Sequence, residues 1–209
     1  MENGYYYDND FLSGDVCGIG AQYSIYKHSF YREEDALKNN NNSKSGTIFH
    51  NDAFTESVLS FLTPHVENIV GQKLAPTYSH LRNWMSGESE RRKIQTNGAD
   101  ICGKIVLGYD YKGVDDSYVW GQFIDPTPNP LNPEWASNNN KGDFVEQNVG
   151  GLLLFECENY EHWKEPLLAT EGSYQVEMVA YWVYDNGTKD HLKFDGRKTL
   201  GERKIVKYK

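Results

Sequence analysis

The sequence predicts a mainly β protein supported by N-terminal helices. Two features carry that reading. After Leu74, short runs rich in Val, Ile, Tyr, Phe and Trp follow one another: YSHLRNW, DICGKIVLGY, YVWGQFI, GGLLLFEC and YQVEMVAYWVY. Gly, Asn and Pro separate them at the spacing of an all-β sandwich or barrel. Before Leu74, apolar residues instead recur at helical intervals. Aromatic residues form 14% of the chain, 15 of them Tyr, and that composition suits strands better than helices.

The opening stretch GYYYDNDFLSGDVCGIGAQY reads as a short strand followed by a helix. Ser13 is its candidate N-cap, and Asp15 in the first turn complements the helix dipole. Asn39 to Ser43 has nothing apolar to bury and reads as a loop. From Asp52 to Gln72 the positions Phe54, Val58, Leu59, Phe61 and Leu62 keep helical spacing. Thr63-Pro64 then reads as a fresh N-cap and first helical residue. That restarts a helix carrying Val66, Ile69 and Val70, which Gly71 ends. Four of the seven prolines fall in Pro126–Pro133, so this stretch predicts a long inter-strand loop. The expected organisation is a single domain over 1–209. Residues 1–73 form a helical support, 74–187 the β core and 188–209 a basic C-terminal segment.

Composition narrows the function classes. A chain of 209 residues can bury one good core. The net charge is −9, yet residues 189–209 carry eight Lys/Arg against three Asp/Glu, a net of +5 that leaves −14 on the remainder. An acidic body repels nucleic acid, so nucleic-acid binding is not expected. The basic 189–209 segment and the proline-rich 125–140 loop are the expected protein-contact surfaces. No apolar run reaches 18 residues, so no membrane span is expected. The acidic, polar start MENGYYYDND lacks the pattern of a secretory signal. Cys17, Cys102 and Cys157 have no CxxC spacing and fit a reducing compartment, without disulfide or zinc. Nothing supports nucleophilic or dinucleotide chemistry: GxSxG is absent, and GIGAQY does not fit the glycine fingerprint.

Several segments occur together in order: KLAPTYSHLRNWMSG, ICGKIVLGYDY, GGLLLFECENYEHWKEP and YDNG…LKFDGR…LG. Together they resemble the prolyl-4-hydroxylase-like branch of the 2-oxoglutarate/iron(II) dioxygenases, whose small members are frequent in phages and algal viruses. The resemblance spans about residues 52–201. It implies a double-stranded β-helix, or jelly roll, with N-terminal helices packed on it. It also implies an Fe(II) centre held by His-x-Asp on one strand and a distant His on the strand packed opposite, since two His and one carboxylate leave positions open for cosubstrate. In the ungapped match, His162 of EHW falls on the distal ligand. Lys93 falls on the first His and Gln95 on the Asp.

Those substitutions bear on the metal directly. An ammonium has no lone pair to give. Stripping its proton at pH 7 costs on the order of 4–5 kcal/mol. Left charged about 4 Å from a dication, it is repelled by roughly 8 kcal/mol at an effective dielectric near 20. Gln95 offers a neutral carbonyl where a carboxylate is needed. His50-Asn51-Asp52 and His65-Val66-Glu67 meet the bare ligand spacing, but they precede or lie inside a helix.

The expected function is therefore a catalytically degenerate oxygenase-fold protein, without Fe(II) or 2-oxoglutarate. It would serve as a structural or binding component in the cytoplasm or a virion, most concretely a phage virion protein. Two alternatives stay open: an active or atypical hydroxylase, with Asp100 or Asp110 as replacement ligands, and a small-anion binder in the old cavity. Tyr78, Arg82, Trp163 and Lys164 are the candidate pocket residues for the anion or for a cosubstrate carboxylate.

Overall fold

A computed structural model describes residues 1, 4–39, 46–50, 52–93, 98–125, 142–157 and 159–185, with backbone only at 32–39, 92 and 93. Among these residues ten strands and two helices follow in the order β1 (Tyr5–Asp8), α1 (Gly14–Asn39), β2 (Thr47–His50), α2 (Ala53–Val70), β3 (Leu74–Met85), β4 (Glu90–Lys93), β5 (Ile101–Asp110), β6 (Gly121–Ile124), β7 (Asp143–Glu146), β8 (Leu152–Glu156), β9 (His162–Lys164) and β10 (Tyr174–Tyr184). They form two antiparallel sheets: a six-stranded one ordered β1-β8-β5-β10-β3-β2 and a four-stranded one ordered β4-β9-β6-β7. This is a jelly roll with helices against the larger sheet.

Strand alternation divides the core in two. On β10, Val176, Met178, Ala180 and Trp182 meet Leu59, Leu62 and Val66 of α2 and Cys17 and Ala21 of α1. From the same strand, Val179 and Tyr181 turn the other way and join Cys102, Ile124, Val145, Leu153 and Phe155 between the sheets. A third cluster, Trp84, Trp120, Leu167 and Ala169, has Tyr111 and Tyr118 packed against it. All three cysteines are buried, and no disulfide joins them.

Both helix starts follow from the chain. The Cys17 N–H donates to the Ser13 carbonyl at 3.0 Å, opening α1. Asp52 caps α2 by accepting from the Phe54 N–H at 2.9 Å. Gly71 closes α2 in the left-handed conformation, φ 77°, a geometry glycine adopts without penalty. The expected restart at Thr63-Pro64 is corrected: α2 runs unbroken with Pro64 inside it. Pro64 lies on the exposed side. The buried stripe Val58, Leu59, Leu62 and Val66 continues past it, and packing outweighs the lost hydrogen bond. Residues 1–73 are also more than helical, since β1 pairs with β8 and β2 with β3. The expected loop at Pro126–Pro133 and the basic 189–209 segment lie outside the described residues.

Candidate functional site

β9 is only three residues long, His162-Trp163-Lys164, so its alternation decides what enters the space between the sheets. His162 and Lys164 turn inward. Trp163 turns to the opposite face, where it stacks on Phe123 with ring centroids 5.3 Å apart and planes at 9°. Trp163 is thereby separated from the other three candidate pocket residues. Tyr78 and Arg82 do line the interior, at alternate positions on β3 with His80 and Trp84.

The centre of the barrel is polar and tightly bonded. The Lys164 ammonium donates to Glu177 Oε1 at 2.7 Å, and neither side chain has any exposure. The second oxygen of Glu177 accepts from the Trp84 indole N–H at 3.1 Å. Lys104 donates to Glu90 Oε2 at 2.7 Å and to Gln122 Oε1 at 2.7 Å. The Gln122 amide in turn donates to the Trp163 carbonyl at 2.7 Å, tying the network to β9. At one end the Trp84 and Trp120 rings meet edge to face. Lys164 Nζ lies 4.5 Å from the Trp120 ring centroid, and the Arg82 guanidinium 3.5 Å from that of Trp84.

These charges set one another's protonation. Burial acts against the Glu177 carboxylate, yet the ammonium groups of Lys164 and Lys104 hold its pKa below the ordinary value. Burial likewise pulls Lys104 down, but Glu90 and Glu177 carry it above the usual lysine value. For Lys164 burial wins instead and pulls its pKa below the usual lysine value, with Glu177 acting against it. Beside these groups, burial first and His50 second push His80 down to about 3. Among the described residues its Nδ1 has no hydrogen-bond partner, and its ring lies 5.4 Å from that of His50.

His162 is buried, its ring centroid 4.7 Å from Phe155. Nε2 lies 3.9 Å from Glu90 Oε1 and Nδ1 3.5 Å from the Tyr160 carbonyl. Across the β4–β9 pair, Lys93 is the Cα partner of His162, so the two positions matched to metal ligands are direct neighbours. Gln95 lies outside the described residues. The proposed replacement ligands are engaged elsewhere: Asp100 Oδ2 accepts from the Tyr184 N–H at 2.6 Å, and Asp110 lies 3.6 Å from Lys112. The two pseudo-motifs are also committed, Asp52 to the α2 cap and Glu67 to Lys73 and the Leu74 N–H. Among the described residues no three His, Cys, Asp or Glu side chains are placed to hold a metal ion.

The architecture has counterparts among solved structures. It superposes on a Pseudomonas putida prolyl-4-hydroxylase with a TM-score of 0.54 at 12% identity, covering 86% of this chain and 92% of that one. The viral collagen prolyl hydroxylase of Paramecium bursaria Chlorella virus-1 gives 0.54 at 10%, covering 87% and 97%. A Trichoplax adhaerens prolyl hydroxylase gives 0.54 at 15%, covering 88% and 85%. The fold is that of the prolyl-4-hydroxylase-like 2-oxoglutarate/iron(II) oxygenases. No protein-family model matches the sequence, and no curated protein does. In this oxygenase fold, sequence reasoning missed Glu90, Lys104, Gln122 and Glu177. The signal was present: Lys104 interrupts ICGKIVLG and Glu177 interrupts YQVEMVAYWV, and a charge inside an apolar strand requires a buried partner.

Proposed function

We propose that the chain is a catalytically degenerate oxygenase scaffold that binds neither Fe(II) nor 2-oxoglutarate and works as a structural or binding component, in its most concrete form a phage virion protein. The observation that supports this most is the ionic filling of the barrel. Two buried ammonium groups, each locked to a carboxylate, stand between the sheets, and Lys93 is the strand partner of His162. These residues do not fit a ferrous centre. His162 is the one imidazole at the matched positions, and Glu90, the carboxylate near it, is already bonded to Lys104. Releasing Glu90 to a metal would strand a buried ammonium, which costs about 3–5 kcal/mol. In this reading, protein contacts come from the 125–140 loop and the basic 189–209 segment, and the chain resides in the cytoplasm or a virion. No helix among the described residues is long and apolar enough to cross a membrane.

The test is turnover. Purified protein given Fe(II), ascorbate and 2-oxoglutarate should release no more CO₂ than a buffer blank. Decarboxylation that disappears in His162→Ala would establish the atypical hydroxylase instead.

A further inference from the structure

At the end of β7, strand alternation turns Val145 and Gln147 inward and leaves Phe144 and Glu146 exposed. Gln147 is 3% exposed, and among the described residues neither its amide nitrogen nor its amide oxygen has a hydrogen-bond partner. Burying such a group is unfavourable, and it calls for a partner from outside the chain. It lines a cleft of about 200 Å³ together with Tyr109, Tyr111, Tyr118, Trp120 and Glu146. Trp120 is buried and Tyr109 is 46% exposed, so Gln147 and the indole lie at the floor and Tyr109 at the rim. The enclosed part of the cleft is about 10 Å³, room for one group the size of a water or a hydroxyl. The rings around it are fixed. The Tyr111 hydroxyl donates to Gln175 Oε1, the Tyr118 oxygen accepts from the Leu168 N–H at 3.1 Å, and the Trp120 indole donates to the Glu165 carbonyl at 2.8 Å. Tyr109 stacks on Tyr111 with centroids 4.5 Å apart and planes at 10°, and Tyr118 stands edge-on to Tyr111.

We propose that this cleft binds a neutral sugar residue, with one hydroxyl on the Gln147 amide and a C–H face of the sugar ring against Tyr109. The lining removes the rivals one by one. Glu146 is the charged side chain of the cleft and no cation lines it, so an anion is repelled. A hydrocarbon leaves both amide atoms unpaired. A flat heterocycle or a quaternary ammonium is too large for the enclosed floor and leaves Gln147 unanswered as well. A hydroxyl is donor and acceptor in one small group, which matches both ends of a carboxamide. A pyranose carries that hydroxyl on a ring whose axial C–H bonds suit the negative face of a tyrosine. Glu146, exposed beside it, accepts from neighbouring hydroxyls in a charge-assisted bond. At the efficiency of small ligands, a monosaccharide of about twelve non-hydrogen atoms binds with a Kd of about 1 mM. The site uses none of the residues matched to metal ligands, so its failure would leave the degenerate-scaffold reading standing.

Saturation-transfer NMR of the full chain tests the proposal, with D-glucose, D-galactose, D-mannose, N-acetyl-D-glucosamine and choline each offered alone at about 5 mM. At least one sugar should receive saturation, strongest on the C–H protons of one ring face, and choline should receive none. Tyr109→Ala changes an exposed ring, and Gln147→Leu replaces an unpaired amide by an apolar chain of similar shape. Each should weaken sugar binding at least about tenfold. Neither should lower the thermal midpoint, so a lost signal reads as lost binding and not as lost fold. Three results would overturn the proposal: no transfer to any of the four sugars, sugar transfer that survives either substitution, or stronger transfer to choline than to the sugars. The last would make the cleft a cation cage.

Discussion

Lys164 and Glu177 have no access to water, and each is the other's compensation. Glu177→Gln leaves the ammonium buried with a neutral partner, so urea unfolding should show a loss of about 3–5 kcal/mol. Replacing both, as Lys164→Met with Glu177→Leu, should recover most of that loss, because two matched apolar chains need no partner. A double variant as weak as the single one would mean the pair does more than satisfy itself. His80 makes a separate prediction. Its folded pKa, about 3, lies below its ordinary 6.5, so between these values the unfolded chain holds a proton that the folded chain refuses. Stability contributed by neutral His80 is thus present above pH 6.5 and is lost as pH falls toward 3. At pH 5 the loss should be about 2 kcal/mol at 1.36 kcal/mol per unit. Chemical denaturation at pH 7 and 5 should show this for wild type and a flatter profile for His80→Leu; equal pH dependence in both would remove His80 as the cause.

At the scale of elements, α2 depends on Asp52. Its carboxylate caps Phe54 and also accepts from Tyr23 at 3.0 Å and from Lys27, linking α2 to α1. Asp52→Ala should therefore cost about 1–2 kcal/mol, read as a lower thermal midpoint, while Asp52→Asn should retain much of the cap. The longer strands were legible because each carries a period: β3, β5, β8 and β10 overlap runs that alternate or stay apolar, and the four-residue β1 and β6 lie in aromatic-rich stretches read as strand. Four other short strands were not legible from pattern. β2, β4, β7 and β9 have three or four residues each, too few for a period, and only pairing across the sheet defines them. Pro64 misled for a similar reason, since its effect on a helix depends on which side it faces. The inward turn of Lys164 and outward turn of Trp163 followed from alternation, but only once β9 was known to be a strand.

At the scale of the whole molecule, the jelly roll brings positions 93 and 162 side by side from segments about seventy residues apart in sequence, and the ordered segments predicted that meeting. What those segments did not reveal is the ionic network behind it, because Glu90, Lys104, Gln122 and Glu177 come from four strands and meet only in three dimensions. If the missing ligands are what keep iron out, restoring them should admit it: Lys93→His with Gln95→Asp would complete a set of two imidazoles and one carboxylate with His162. Such a gain should itself depend on His162. The most direct measurement is anaerobic equilibration with Fe(II), followed by desalting and metal analysis of wild type beside that double variant. The account predicts well under one iron per chain for wild type and a clear rise for the variant. One tightly held iron per wild-type chain, lost in His162→Ala, would contradict it.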